Sequence, residues 1–333
     1  MTHLAVLGAG SWGTTFGKIL ADGGADVMMW ARRPELAREI AVSKRNSDYL
    51  PGINLPRRLR ATSSLQAALA NAEQVYLSIP SQELRSCLLE VKDLIPADVP
   101  VISLMKGVEN GTGMRMSEVI ADALGIPVSR IAVISGPNLA LELAQQQPSA
   151  SVVASVSRQT AETVALRARN DYFRTFVSTD VIGTEFGGVL KNLIAVAIGI
   201  VDGVGFGENT KAAIITRGLA EITRFSVAYG ARPETMTGLA GLGDLIATCE
   251  SPLSRNNQAG RLLGQGISRK DMLGKMKQTA EGISSVDPIL ALAAAKGVNM
   301  PIARQVSEVL AGTRSPADIA PHLSTDSDEP EEE

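Results

Sequence analysis

His3-Leu4-Ala5-Val6-Leu7-Gly8-Ala9-Gly10-Ser11-Trp12-Gly13 is the stretch whose reading decides the fold. A short apolar strand, His3 to Leu7, runs into three glycines spaced GxGxxG. A helical pattern follows from near Thr14 to Asp22 and stops at Gly23-Gly24. In that order each glycine has a physical task. Gly8 permits the tight turn, Gly10 lets the backbone approach a pyrophosphate, and Gly13 lets helix and strand pack closely. The helix start then points unpaired N–H groups at the anion, and the glycine pair suits a left-handed stop. A glycine-rich strand-to-helix turn can also occur with no ligand. Here the preceding strand and following helix favour a dinucleotide site.

The next strand, Asp26 to Trp30, bears on which dinucleotide. An NAD site usually places Asp or Glu about 20 residues beyond the glycines to hold the ribose 2′-hydroxyl. This chain has Ala31-Arg32-Arg33-Pro34 there, and its first carboxylate is Glu35, in the opening turn of the next helix. Arginine at that place suits a 2′-phosphate, so the expected cofactor is NADP(H). NAD(H) remains the alternative if Arg32 and Arg33 are solvated loop charges.

The chain has 333 residues, long enough for two domains, and 45% of them are hydrophobic, enough for a sizeable core. Its formal charge is −3, but six acidic residues (Asp326, Asp328, Glu329, Glu331, Glu332, Glu333) lie in the tail after Ser324. The remainder carries 29 acidic side chains against 32 basic ones. A mildly basic body suits small phosphorylated ligands. A nucleic-acid partner is not expected, since no long Lys/Arg run with interleaved aromatics appears. The tail, 324–333, reads as a disordered solubilising segment. Cys87 and Cys249 have no metal-like or CxxC spacing, which argues against a disulfide framework and a metal site. The longest apolar run, Val189 to Val201, contains Lys191 and Asn192. It is too short and too polar for a bilayer span of about 20 apolar residues. With no signal peptide ahead of the first strand, a cytoplasmic protein without a membrane partner is expected.

The first half of the chain alternates strand and helix. A helix from Pro34 to about Asn46 is followed by a loop with Pro51, Gly52 and Pro56, then a helix capped by Ser63 or Ser64. Further strands are expected at 75–79, 101–104, 131–134, 152–155 and 175–177. This alternation predicts a mainly parallel sheet covered on both faces, with ligands outside the carboxyl ends of its strands. Residues 8–13, 31–33, Pro80, Lys106 and Gly136 all fall just past strand ends. From about Glu185 the pattern is helical, near 185–201, 211–229, 258–264, 284–296 and 303–311. The expected division is a dinucleotide-binding domain over 1–182 and a helical domain over 183–323.

Three segments could complete a catalytic site. Lys106 follows a strand end and could meet a phosphate or a carbonyl oxygen, or be a surface lysine. Lys191 lies in Gly187-Gly188-Val189-Leu190-Lys191-Asn192, which leads into a helix apolar on nearly every side. Such a helix should be buried, so the lysine needs a partner or a task. Burial lowers a lysine pKa towards the range of proton exchange near neutral pH. A snorkelling or salt-bridged structural lysine is the competing reading. The chain's two histidines, His3 and His322, are poorly placed for catalysis, which favours Lys191 as the proton carrier. The third segment is Gly241-Leu242-Gly243-Asp244-Leu245-Ile246-Ala247-Thr248-Cys249, followed by Ser254-Arg255-Asn256. Asp244 reads as a helix N-cap after a glycine pair. Arg255 offers a planar fork suited to phosphate, with Ser254 and Asn256 as donors beside it; an exposed polar loop is the alternative.

These motifs together resemble the bacterial glycerol-3-phosphate dehydrogenases over about residues 3–320. The resemblance is carried by GAGSWG at 8–13, Lys106, GPNLA at 136–140, GVLKN at 188–192 and GLGDLIATC…SRN at 241–256. Two positions depart from the family's usual pattern. Asn138-Leu139 stands where Ser-Phe is common, and Val189 where Ala is common. The first puts a side-chain contact at position 138 in question. The resemblance implies a Rossmann-type α/β domain followed by an all-α domain of the 6-phosphogluconate-dehydrogenase kind. It also implies reversible hydride transfer between sn-glycerol 3-phosphate and dihydroxyacetone phosphate, feeding phospholipid synthesis. It makes Lys191 the general acid/base. Lys106, Gly136, Asn138 and Asn192 would help position the substrate, and Asp244 would orient Lys191 or the substrate hydroxyl. Ser254, Arg255 and Asn256 would grip the substrate phosphate. The cofactor would be held by Gly8, Gly10, Ser11, Trp12, Gly13, Arg32, Arg33, Lys106, Ala140, Arg255 and Glu281. A homodimer is compatible with it. The rival readings are a 3-hydroxyacid or 6-phosphogluconate-type dehydrogenase, against which Asp244 and Ser254-Arg255-Asn256 count, and a non-catalytic dinucleotide sensor, against which the intact Lys191 and Asp244 count.

Overall fold

The computed structural model describes residues 3–276 and 280–319. The acidic tail at 324–333, His322 and Thr279 lie outside the described residues. Two compact units divide the chain between Glu185 and Phe186.

The first unit is built from β1 (His3–Leu7), α1 (Ser11–Asp22), β2 (Asp26–Trp30), α2 (Pro34–Ser43), β3 (Leu59–Thr62), α3 (Leu65–Leu69), β4 (Gln74–Leu77), α4 (Leu84–Val91), β5 (Val101–Ser103), α5 (Met116–Leu124), β6 (Ile131–Ser135), α6 (Ala140–Ala144), β7 (Ser149–Ala154), α7 (Arg158–Ala168) and β8 (Phe173–Ser178). The strands form one sheet in the order β3-β2-β1-β4-β5-β6-β7-β8. Every described neighbour pair is parallel except β6 with β7.

Strand periodicity explains why both faces are covered. Along β1, Leu4 and Val6 enter one core with Phe16, Ile19 and Tyr76, while Ala5 and Leu7 enter the other with Leu84, Leu88 and Ile120. A strand buried on both sides therefore reads as an unbroken apolar run. The chain leaves β1 towards β2 and β3, then returns beside β1 as β4 and proceeds the other way. That reversal opens a crevice at the carboxyl ends of β1 and β4.

Three local expectations differ from the structure. Helix α1 starts at Ser11 rather than near Thr14, so the second half of the glycine turn is already the helix's first turn. Strand β3 forms where a loop was expected. Its four residues, Leu-Arg-Ala-Thr, bury only Leu59 fully, and two apolar-polar alternations are too few to mark a strand. Strand β7 begins at Ser149 rather than 152, because its first half is small and polar.

The second unit is helical among the described residues. Helix α8 (Val181–Val204) crosses the division, and α9 (Glu208–Ala228), α10 (Pro233–Met236), α11 (Asp244–Glu250), α12 (Arg255–Gly264), α13 (Arg269–Lys275), α14 (Glu281–Ala295) and α15 (Pro301–Ala311) follow. A π turn, Leu239–Gly243, leads into α11. Phe186 packs edge-on against Phe225 at 5.1 Å, and Phe225 stacks on Tyr229 at 5.0 Å. By length and composition alone α8 could cross a bilayer, since the helix is longer than the apolar run inside it. In this protein 83% of its most apolar window is buried.

Candidate active site

The glycine corner has the geometry its spacing implies. Gly8 has φ +115°, and a Cβ there would lie 2.1 Å from the carbonyl oxygen of Ser78. A Cβ on Gly13 would lie 2.1 Å from the carbonyl oxygen of Gly8. Both positions exclude a side chain because backbone already occupies the space. Gly10 is different: nothing lies within 4 Å of its would-be Cβ. That open space sits over the first turn of α1, where no side chain caps the helix and no acidic residue is present. Uncapped N–H groups with the positive end of a helix dipole behind them suit an anion. The residues present therefore fit a dinucleotide pyrophosphate.

The side chains around this corner fix it from several strand ends. Ser11 Oγ donates to the Tyr49 carbonyl at 2.6 Å, and Trp12 Nε1 to the Leu104 carbonyl at 3.1 Å. Thr15 Oγ1 donates to the Ala140 carbonyl at 3.1 Å, joining α1 to α6. Lys106 Nζ donates to the Gly136 carbonyl at 3.1 Å, so two of the motif positions meet beyond β5 and β6. Asn138 Oδ1 accepts from Ser151 Oγ at 2.6 Å, while its buried Nδ2 has no partner among the described residues. The Asn138 amide thus keeps a donor in hand. Arg32 and Arg33 are exposed and pair with Glu83 at 2.8 Å and Asp48 at 2.6 Å. Arg33 also lies over the Tyr49 ring, 5.7 Å from its centroid. Exposed ion pairs of this kind are worth little and exchange readily for a phosphate.

In the second unit Lys191 is 5% exposed and Asn192 5%. Gly187 has α8 backbone so close to the π turn that a Cβ would lie 2.4 Å from the Ala240 carbonyl oxygen. That approach delivers α11 to the lysine. Asp244 and Thr248, four residues apart, share one face of α11. Lys191 Nζ lies 2.9 Å from Asp244 Oδ1 and donates a short hydrogen bond to Thr248 Oγ1. Thr248 Oγ1 donates in turn to the Asp244 carbonyl at 2.7 Å, which turns its lone pairs towards the amine. Asp244 reads in the sequence as a helix cap, and the resemblance gives it Lys191 or the substrate hydroxyl to orient. It is the first residue of α11, with no side-chain cap there, and its carboxylate lies against the lysine amine.

Ser254 Oγ caps α12, accepting from Asn257 N at 3.3 Å, and Arg255 follows as an exposed side chain in the first turn. Asn256 is buried, and its Oδ1 accepts from Gly282 N at 2.9 Å. The start of α12 therefore meets the start of α14, next to half-buried Glu281.

Two residues of the site escaped the sequence reading. Thr248 was visible inside the Asp244 segment, and its i+4 spacing from Asp244 was the available signal. Asn46 is fully buried and donates to the Ala9 carbonyl at 2.9 Å and to Thr14 Oγ1 at 2.7 Å, bracing the glycine corner from 37 residues away. Nothing local marks it. Cys249, beside Thr248, has its thiol pushed up to about 12 by burial and stays protonated at neutral pH.

A seat for a dinucleotide and, later in the chain, a buried lysine with a carboxylate partner are what a nicotinamide-dependent dehydrogenase needs. In such an enzyme one part carries a hydride donor and another handles a proton. Comparison with known proteins narrows that class. Residues 3–161 match the family model described as NAD-dependent glycerol-3-phosphate dehydrogenase N-terminus, and residues 180–321 match the C-terminus model. The glycerol-3-phosphate dehydrogenase (NAD(P)+) of Leifsonia xyli subsp. xyli is 72% identical over 329 residues, covering 98% of this chain and 89% of that protein. The protein of the same name from Thermobifida fusca is 49% identical, with 99% of both chains covered. A crystal structure of glycerol-3-phosphate dehydrogenase from Coxiella burnetii aligns with TM-score 0.92 at 36% identity, covering 98% of this chain and 99% of that one. The chain belongs to the NAD-dependent glycerol-3-phosphate dehydrogenase family.

Proposed function

We propose that this chain catalyses the reversible NAD(P)H-dependent reduction of dihydroxyacetone phosphate to sn-glycerol 3-phosphate, and so supplies phospholipid synthesis. The observation that carries the reading is the buried Lys191–Asp244 pair, braced by Thr248, in a chain of this family. When bound, the reduced nicotinamide supplies a hydride to the ketone carbon. Lys191 in its ammonium form donates to the ketone oxygen and passes its proton as that oxygen becomes an alkoxide. In the oxidative direction the amine takes the proton back. The Asp244 carboxylate offsets the cost of holding a positive charge away from water, and Thr248 fixes the direction of the amine.

Gly8, Gly10, Ser11, Trp12 and Gly13 would receive the pyrophosphate, and Arg32 and Arg33 a 2′-phosphate, giving a preference for NADP(H) over NAD(H). Ala140, Glu281 and Arg255 would also contact the cofactor. Ser254, Arg255 and Asn256, at the start of a ten-residue helix, would hold the substrate phosphate through the helix dipole and the guanidinium. Lys106, Gly136, Asn138 and Asn192 would orient the rest of the substrate. A homodimer and a cytoplasmic location are part of the same reading.

Steady-state reduction of dihydroxyacetone phosphate by NADPH and by NADH tests it. Turnover with both, lower KM for NADPH, and loss of about 10²–10⁴-fold in kcat for Lys191→Ala are expected. Absence of turnover with either cofactor would sink the assignment. Light scattering at twice the 35.0 kDa chain mass would support the dimer.

A further inference from the structure

The long helix that carries Lys191 meets the helix that begins with Ser254-Arg255-Asn256 through bare backbone. A Cβ on Gly199 would lie 2.1 Å from the Asn257 carbonyl oxygen, and one on Gly203 would lie 2.3 Å from that of Arg261. The relation is reciprocal. A Cβ on Gly260 would lie 2.1 Å from the Val196 carbonyl oxygen, and one on Gly264 would lie 2.2 Å from that of Ile200. Each helix thus presents a Gly-xxx-Gly pair, and each pair faces a carbonyl of the other. Side chains ordinarily hold helix axes ~8–10 Å apart, and small residues at this spacing allow closer approach.

The partners advance together along both helices, so α8 and α12 run parallel. The middle of that register puts residue 255 level with residue 194. Arg255 is therefore only about 4.5 Å along α8 from Lys191, at ~1.5 Å rise per residue. Two further bonds fix the same end of α12. Asn257 Nδ2 donates to the Cys249 carbonyl at 2.9 Å, tying it to the helix of Asp244 and Thr248. Asn256 Oδ1 takes the Gly282 amide at 2.9 Å, beside the Asn192 carbonyl.

From this we infer that Gly199, Gly203, Gly260 and Gly264 are specificity-determining positioning residues. Their backbone packing sets the gap between the Lys191 amine and the start of α12, and that gap gauges the distance from ketone to phosphate in the substrate. Resting on the phosphate role given above to Ser254-Arg255-Asn256, the gauge explains why a three-carbon phosphoester is selected. Direct backbone contact has no side chain to rearrange, so the gap is stiff. Adding one methyl group moves α12 by about 1 Å, since contacts to a Cβ are seldom closer than the ~3.5 Å of ordinary van der Waals approach.

The test is Gly264→Ala, at the last residue of α12. Its kcat/KM for dihydroxyacetone phosphate should fall about 100-fold, the usual penalty for a 1 Å misplacement, while unphosphorylated dihydroxyacetone stays within about twofold of wild type. Gly218→Ala is the control. Its Cβ would press on the Ile194 side chain at 2.9 Å, from the α9 side, and should leave the ratio between the two substrates unchanged. A parallel loss on both substrates in Gly264→Ala, or none on either, overturns the gauge. Should Gly264→Ala fail to fold, the wild-type enzyme gives the answer. A homologue with one more methylene between ketone and phosphate should react at least ~10-fold less well. Equal turnover of the two overturns the proposal. An unchanged KM for dihydroxyacetone phosphate in Arg255→Ala would instead remove the phosphate role itself, and the gauge with it.

Discussion

Lys191 and Asp244 form an ion pair whose side chains are 7% and 2% exposed, with Nζ 2.9 Å from Oδ1. At that depth neither charge is tolerable without the other. Breaking a buried pair by removing one partner typically costs about 3–5 kcal/mol, because the survivor is left uncompensated. Asp244→Asn should therefore lower the melting temperature as well as kcat. The double variant Lys191→Met, Asp244→Leu should recover most of the stability and none of the activity, since an apolar pair of similar volume needs no compensation. If Asp244→Asn melts like wild type, the pair is not buried in solution.

Thr248 acts on the substrate only through the amine, so its variants should separate position from bulk. Thr248→Val keeps the shape and removes the acceptor for Lys191 and the donor to the Asp244 carbonyl. We expect kcat to fall about tenfold or more with KM little changed, since a hydrogen bond to a charged group is worth about 1.5–3 kcal/mol net. Thr248→Ser keeps the hydroxyl and should restore kcat. Failure of serine to rescue, with valine impaired, would assign the residue to packing alone.

Arg32 and Arg33 stand just beyond β2, held by exposed partners that a phosphate can displace. In Arg32→Ala and Arg33→Ala the KM for NADPH should rise tenfold or more at low salt, with the KM for NADH nearly unchanged. Added salt should narrow the difference, because exposed charges are screened within about 10 Å at 0.1 M. Equal effects on the two cofactors would mean the arginines do not read the 2′-phosphate.

What could be read in the sequence follows from the range of the interactions. Gly8, Gly10 and Gly13 are legible because their constraints come from within a few residues and from the strand beside them. Lys191 is legible because a charge in an apolar run is costly wherever the run is buried. Thr248 acquires meaning only once α11 is known to lie against α8, 57 residues apart. Asn46 braces the Ala9 carbonyl through a loop whose path no periodicity records. Strand β3 is four half-polar residues at a sheet edge, defined by its pairing with β2 rather than by its own pattern. The glycines of α8 and α12 look like helix-weakening accidents until their partners are seen to be each other's backbone.

Glu221 offers a test of burial away from the catalytic groups. It is 1% exposed on α9, and its two carboxylate oxygens accept from the backbone N–H groups of Ile302 and Ala303, at 2.9 and 3.0 Å, in the first turn of α15. Those bonds, with Arg224 and Arg304 at longer range, favour the charged form. Burial outweighs them and pushes the carboxyl up to about 7. The unfolded chain holds that proton only below about 4.5, the ordinary glutamate range. Between those values the folded state binds more protons than the unfolded one, so this group's contribution to stability is full below about pH 4.5. It is lost as pH rises towards 7 and flat beyond. The change amounts to about 3 kcal/mol at 1.36 kcal/mol per pKa unit. Glu221→Gln, which does not titrate, should lack it. Melting curves of both proteins from pH 5 to 8 give the measurement: the advantage of wild type over the variant should shrink as pH rises. A difference constant across that range would mean that Glu221 is ionised throughout and that its two backbone donors, rather than its burial, govern it.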